Sequence, residues 1–257
     1  MQLDFVRYEK RDRIAWVTIN RPEVLNALHP AANEELSRVW DDFVADGDVW
    51  VAILTGAGER AFSAGNDLKW TAQHGVPRMP KGGFAGLVAR DDIWKPIIAA
   101  VNGFALGGGL EIALACDVIV AVESARFGLP EPRVGLTAAA GGVHRLPRHI
   151  PLKIAMGLML TGRHITAAEA ARLGLVNEVV PSAELLAAAE RWAREICECS
   201  PLAVQATKQA ALLGLGRPVA EAMSASYPAV RKLFSSEDAV EGPRAFAEKR
   251  KPVWRGR

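Results

Sequence analysis

The sequence predicts an α/β fold followed by a helical C-terminal part. Three observations lead there: short apolar runs that read as buried strands, helical spacing between them, and a mostly helical character from Ala139 onward. Strands buried on both faces and separated by helices are the mark of layered α/β architecture.

In chain order, Ile14–Asn20 is the first apolar strand, stopped by Arg21-Pro22. Leu36, Val39, Trp40 and Phe43 then recur at helical spacing, which predicts a helix with one buried face. Val49–Thr55 is a continuous apolar strand closed by Gly56-Ala57-Gly58, and Pro96–Val101 and Val118–Val122 repeat the pattern. Between them, Thr71–Gly86 collects Gly75, Pro77, Pro80, Gly82 and Gly83 and is long for a connection. It reads either as a mobile lid or as a surface loop. Further on, Thr166-Ala-Ala-Glu169 is a capping box and Gly174 stands where a helix stop belongs. Ser182 and Pro201 open further helices, and Gly242-Pro243 should interrupt the last one before a basic tail, Lys249–Arg257. The expected division is an α/β core over residues 1–200 and a helical region over residues 201–257.

The chain has 257 residues, half of them hydrophobic, enough for one large core. Its formal charge of +2 leaves no basic stripe, so a nucleic-acid partner is disfavoured. No run of about 20 apolar residues occurs, so no membrane span is expected. Met1–Lys10 carries Asp4 and Glu9 and resembles neither a signal nor a transit sequence, which makes the cytoplasm the default location. Cys116, Cys197 and Cys199 have no metal-ligand spacing, and Cys116 in its apolar run reads as a core residue. His144 and His149 fall outside zincin spacing, so no metal site is expected.

Three segments have the residues for chemistry. In Phe104–Asp117, three glycines follow a strand and precede an apolar helix. Glycine there lets a ligand approach the chain, and the helix start leaves unpaired N–H groups that suit a developing oxyanion. The plain alternative is a tight turn with glycines chosen for packing. Glu111 lies within that apolar helix, where an unpaired carboxylate is costly and tends to raise its pKa. It needs a function or a partner, such as a salt bridge to an arginine.

The second segment, Gly128-Leu-Pro-Glu131-Pro, fixes Glu131 between two prolines. Such a carboxylate is aimed at a substrate or is an ordinary loop acid. The third, Ala61–Lys69, is a small-residue bend in which Gly65 allows an exposed N–H at Asn66. Asp67 there reads equally as a helix cap.

Together these segments resemble the enoyl-CoA hydratase/isomerase (crotonase) family. Asn20–Leu28 looks like its N-terminal CoA-side motif, and Ala61–Lys69 and Val101–Asp117 like its two oxyanion-hole segments. Phe127–Gly135 is similar to the segment with its second catalytic glutamate, and Leu160–Val180 to a later family pattern. The resemblance implies a superhelix of stacked ββα units with a helical trimerisation region, hence a homotrimer or homohexamer. It implies Glu111 and Glu131 as acid/base carboxylates, the N–H groups of Asn66 and Gly108 as oxyanion donors, and Val24, Ala64, Asp67 and Leu68 as CoA or substrate contacts. It also implies an acyl-CoA substrate within fatty acid metabolism, hydration or dehydration of an enoyl-CoA as the reaction, and no cofactor beyond the CoA that the substrate brings. A Δ3,Δ2-enoyl-CoA isomerase or a non-catalytic acyl-CoA-binding or RNA-associated protein on the same fold are the alternatives. The lid residues Gly82–Leu87 and the C-terminal Ser236–Arg250 look similar to the carnitinyl-CoA dehydratase branch. One departure is Ala138-Ala-Ala-Gly-Gly142, where the family often shows Pro-Gly-Ala-Gly-Gly. There Ala139 is expected to narrow the pocket near the catalytic water.

Overall fold

Two sheets and the order in which the chain visits them position everything else. The computed structural model describes residues 1–76 and 78–257, so Pro77 of the glycine- and proline-rich stretch lies outside the described residues. In order the elements are β1 (Val6–Arg11), β2 (Ile14–Ile19), α1 (Pro30–Ala45), β3 (Val51–Gly56), β4 (Ala61–Ser63) and α2 (Leu68–His74). Then come β5 (Ile97–Val101), β6 (Phe104–Leu106), α3 (Gly108–Ala115), β7 (Val118–Val122), β8 (Arg126–Gly128) and a 3-10 turn, Glu131–Val134. After these follow α4 (Gly142–His149), α5 (Leu152–Thr161), β9 (Ile165–Thr166), α6 (Ala167–Arg172), β10 (Glu178–Val180) and α7 (Leu185–Cys197). Four helices close the chain: α8 (Pro201–Gly214), α9 (Val219–Ser224), α10 (Pro228–Phe234) and α11 (Glu237–Ala247).

The larger sheet runs β1-β2-β3-β5-β7-β10, and the smaller runs β4-β6-β8-β9. Each pair β3/β4, β5/β6 and β7/β8 puts its first strand in the larger sheet and its second in the smaller. A helix or short turn follows each pair, which is the stacked ββα spiral the resemblance implied. Pairing is parallel from β2 through β10 in the larger sheet and from β4 through β8 in the smaller. Residues of β3 and β5 are buried throughout, as strands covered on both faces must be. Leu36, Val39, Trp40 and Phe43 of α1 are all buried, as their spacing predicts.

The capping box at Thr166 and Glu169 forms, and Gly174 takes the left-handed conformation two residues beyond α6. Pro201 opens α8 behind a Ser200 cap, while Ser182 begins a short 3-10 turn ahead of α7. Two expectations fail. Gly242-Pro243 does not interrupt the last helix, since α11 runs through both. Gly242 has no Cβ to collide with the proline ring, so the helical conformation stays open to it. The Ser236 cap and the tail hold the helix: Asp238 accepts from the N–H groups of Arg255 and Gly256. The basic tail is therefore folded back, with Arg250 paired to Glu241 at 2.6 Å.

Nor is Thr71–Gly86 irregular throughout. Helix α2 extends to His74, and Phe84, Ala85 and Gly86 form a buried turn against α1. Ala85 is fastened there from both sides: its N–H donates to Asn33 Oδ1 (2.6 Å) and its carbonyl accepts from Trp40 Nε1 (3.0 Å). Among the described residues no helix is long and apolar enough to cross a membrane.

Candidate active site

The smaller sheet delivers the site. Strands β4, β6 and β8 are parallel neighbours, and the chain leaves their C-terminal ends at Ala64–Asn66, Gly107–Gly108 and Leu129–Glu131. Ligands gather at the carboxyl ends of parallel strands because helix starts and loop N–H groups converge there. A cavity of about 780 Å³ opens at this point, lined by Asn66, Gly108, Glu111 and Glu131. Four sequence-predicted residues thus meet in one place.

Gly107, at φ 55°, turns the chain from β6 into α3. A Cβ there would sit 3.1 Å from Glu131 Oε1, so the backbone passes close beneath that carboxylate. Gly65, at φ 88°, brings the neighbouring loop in: its Cβ would lie 2.7 Å from the Gly108 nitrogen. The Asn66 and Gly108 N–H groups have no hydrogen-bond partner among the described residues. Gly108 is at the first position of α3, where an N–H has no intrahelical acceptor. The Asn66 side chain is engaged elsewhere, donating to Thr71 Oγ1 at 2.9 Å, which leaves its backbone to the cavity.

Glu111 is only 3 % exposed. Its Oε1 accepts the Gly142 N–H at 2.8 Å, and the Ala140 N–H also approaches the carboxylate. Burial pushes its pKa to about 7, and the nearby Glu131 adds to the rise, while the two N–H groups oppose it. The salt bridge offered as the alternative is absent: among the described residues no arginine or lysine pairs with Glu111, and backbone N–H groups hold it instead. Glu131 follows Pro130 and opens its single 3-10 turn, which Gly135 ends in the left-handed region. Its Oε2 is buried with no hydrogen-bond partner, and burial raises its pKa as well.

Of the other predicted contacts, Ala64 and Leu68 line the cavity. Val24 and Asp67 do not. Asp67 caps α2 through the Trp70 N–H (3.1 Å) and pairs with Arg21 at 3.0 Å, so the helix-cap reading holds for its side chain. Val24 lies half-buried in a 3-10 turn that positions the following loop, whose Leu28 N–H bonds Gly65 O at 2.7 Å. Ala139 lines the cavity beside Ala140. Cys116 is a core residue, as read from its apolar run.

The sequence reading missed the Ala140 and Gly142 N–H groups, which hold Glu111. It also missed Phe84, whose ring lies over Gly108 and fills the space a Cβ would take. The small-residue run before α4 was a usable signal, because such a run allows the close backbone approach seen there.

A profile described as Enoyl-CoA hydratase/isomerase matches residues 9–257. The chain belongs to the enoyl-CoA hydratase/isomerase family. It is 43 % identical to (E)-benzylidenesuccinyl-CoA hydratase of Thauera aromatica, over 98 % of this chain and 99 % of that one. It is 45 % identical to carnitinyl-CoA dehydratase of Escherichia coli K12, over 94 % of each. Among solved structures, enoyl-CoA hydratase from Mycobacterium marinum superposes with a TM-score of 0.93 at 43 % identity, covering 98 % of this chain and 99 % of that one. The family's named relatives are hydratases and dehydratases, so this chain is an acyl-CoA enzyme of the hydro-lyase type, as the paired glutamates led one to expect.

Proposed function

We propose that the chain adds water across the α,β double bond of an enoyl-CoA thioester, or removes it, with Glu111 and Glu131 handling the water. The observation that carries this is their meeting in one cavity: two carboxylates with raised pKa, the buried Glu111 and the half-buried Glu131, with two unpartnered N–H groups. The N–H groups of Asn66 and Gly108 receive the thioester oxygen and stabilise the charge that grows there in the enolate-like transition state. In hydration, one ionised carboxylate takes a proton from water as its oxygen bonds to Cβ. The other, protonated, gives its proton to Cα, and the pair then exchanges one proton to reset. A Glu111 pKa of about 7, raised by burial and by the neighbouring Glu131, allows this mixed state near neutral pH. The step balances with substrate, water and two carboxylates, so no metal or redox cofactor is assigned, and CoA enters as part of the substrate. Ala64 and Leu68 are assigned to substrate contact, and Val24 and Asp67 to support of those loops.

The test is hydration in ¹⁸O-labelled water with crotonyl-, longer enoyl- and crotonobetainyl-CoA. Label in the 3-hydroxyacyl product is the expected result. Double-bond migration without label would make the enzyme an isomerase.

A homotrimer, or a dimer of trimers, is the proposed assembly. Leu212 and Leu213 of α8, Phe234 of α10 and the stripe Leu152, Met156, Leu160 of α5 are exposed. Closed symmetric oligomers commonly bury such faces. Trp192 of α7 is not part of this surface: it packs half-buried with Nε1 donating to Glu178. Light scattering should give a trimer or hexamer at micromolar concentration, and a monomer would contradict it. The cysteines are free, which suits a reducing compartment, and the cytoplasm is the proposed location.

A further inference from the structure

Arg145 of α4 is half-buried and pairs with no carboxylate among the described residues. A guanidinium kept from water without a counter-ion is costly, which calls for a role. Its Nη2 donates to the Val88 carbonyl at 2.8 Å, and Val88 lines the cavity just beyond the buried turn Phe84–Gly86. Its backbone N–H donates to Gly141 O at 2.8 Å, closing the first turn of α4. A side chain at Gly141 would run into Nη1, so the guanidinium folds over the start of its own helix. That helix start supplies the Gly142 N–H held by Glu111.

We propose that Arg145 is a positioning residue that joins the cavity wall at Val88 to the helix start holding Glu111. An acyl chain pressing on Val88 then acts on the carboxylate that handles the water. The proposal rests on the reading of Glu111 given above.

The charges around it agree. Glu111 faces Glu131 from the turn after β8 and Arg145 from α4; β4, β6 and the Phe84–Gly86 turn, also packed near α3, bring no ionisable side chain. Arg145 in turn faces Glu111 and Cys116, whose thiol burial keeps neutral. Arg145 therefore counteracts the rise that burial and Glu131 impose on Glu111.

The experiment compares Arg145→Gln, Arg145→Lys and the parent enzyme in three readouts: the pH profile of kcat/KM, ¹³C NMR titration of the Glu111 carboxyl, and hydrogen exchange over residues 82–90. Arg145→Gln should lose on the order of 10-fold to 10²-fold in kcat. It should also raise the Glu111 titration midpoint and speed exchange in that segment. Arg145→Lys should restore the midpoint but not the slow exchange, since a lysine Nζ ends one bond short of the Nη2 that reaches the Val88 carbonyl. If Arg145→Gln does not fold, the Lys variant alone still decides, because exchange as slow as in the parent overturns the proposal. An Arg145→Gln protein with the parent's titration and exchange also overturns it. Absence of hydration by the parent would instead sink the proposed function, while titration and exchange would still report on Arg145.

Discussion

Glu111 and Glu131 reach one cavity with opposite kinds of support. Glu111 sits inside a helix, 3 % exposed, with Oε1 fixed by the Gly142 N–H of α4. Glu131 hangs from a proline-flanked turn, and its buried Oε2 has no partner. A buried acceptor left unsatisfied costs about 1–3 kcal/mol. The difference teaches how such a site divides its work: one carboxylate is held in place by the fold, and the other is left to bond a ligand or water. In the proposed reaction both act at once, so changes to each should separate placement from reaction.

The largest effect is on turnover. Glu111→Gln and Glu131→Gln keep shape but remove charge and proton transfer, and each should lower kcat by on the order of 10²-fold or more. Steady-state kinetics with crotonyl-CoA measures this, and acyl-CoA binding should survive in both. One inactive and one fully active variant would break the pairing.

The second effect is on stability and has a definite sign. Folding raises the Glu111 pKa from an ordinary 4.5 to about 7, so the folded state favours its protonated form. That contribution is complete below pH 4.5 and is lost as pH rises through about 7. Glu111→Gln should match the parent near pH 4 and be the more stable protein above pH 7, by at most about 3 kcal/mol. A salt-bridged glutamate would give the reverse, a less stable variant at neutral pH. Denaturant unfolding at both pH values distinguishes them.

The smallest effect tests the wall opposite the carboxylates. Asn33→Ala removes the acceptor of the buried Ala85 N–H and should cost about 1–3 kcal/mol while loosening the Phe84–Gly86 turn over Gly108. Hydrogen exchange at Ala85 should quicken, and KM should rise more than kcat falls. Unchanged exchange would mean that Trp40 alone holds the turn.

The two sheets show what could be read from the sequence. Strands β2, β3, β5 and β7 are largely apolar runs of five or six residues, and each was legible as a strand. Strands β4 and β8 are three residues long, too short for a period, and read instead as bends and turns. Yet the smaller sheet places Asn66, Gly108 and Glu131. Those residues were found because Glu111 is out of keeping with its apolar helix and because the motifs resemble a family. The N–H groups holding Glu111 and the cation of Arg145 depend on how α4 packs on α3; the small-residue run before α4 permits that approach but does not specify it. Gly242-Pro243 misled because the tail's bonds to Asp238 outweigh a local helix breaker.

The central claim is that Glu111 and Glu131 act as one unit on one water. Single-turnover hydration measured for both Gln variants and for the double variant tests it most directly. If the two share the water, the double variant should lose much less than the product of the single losses. Losses that multiply would show two carboxylates working independently and would contradict the account.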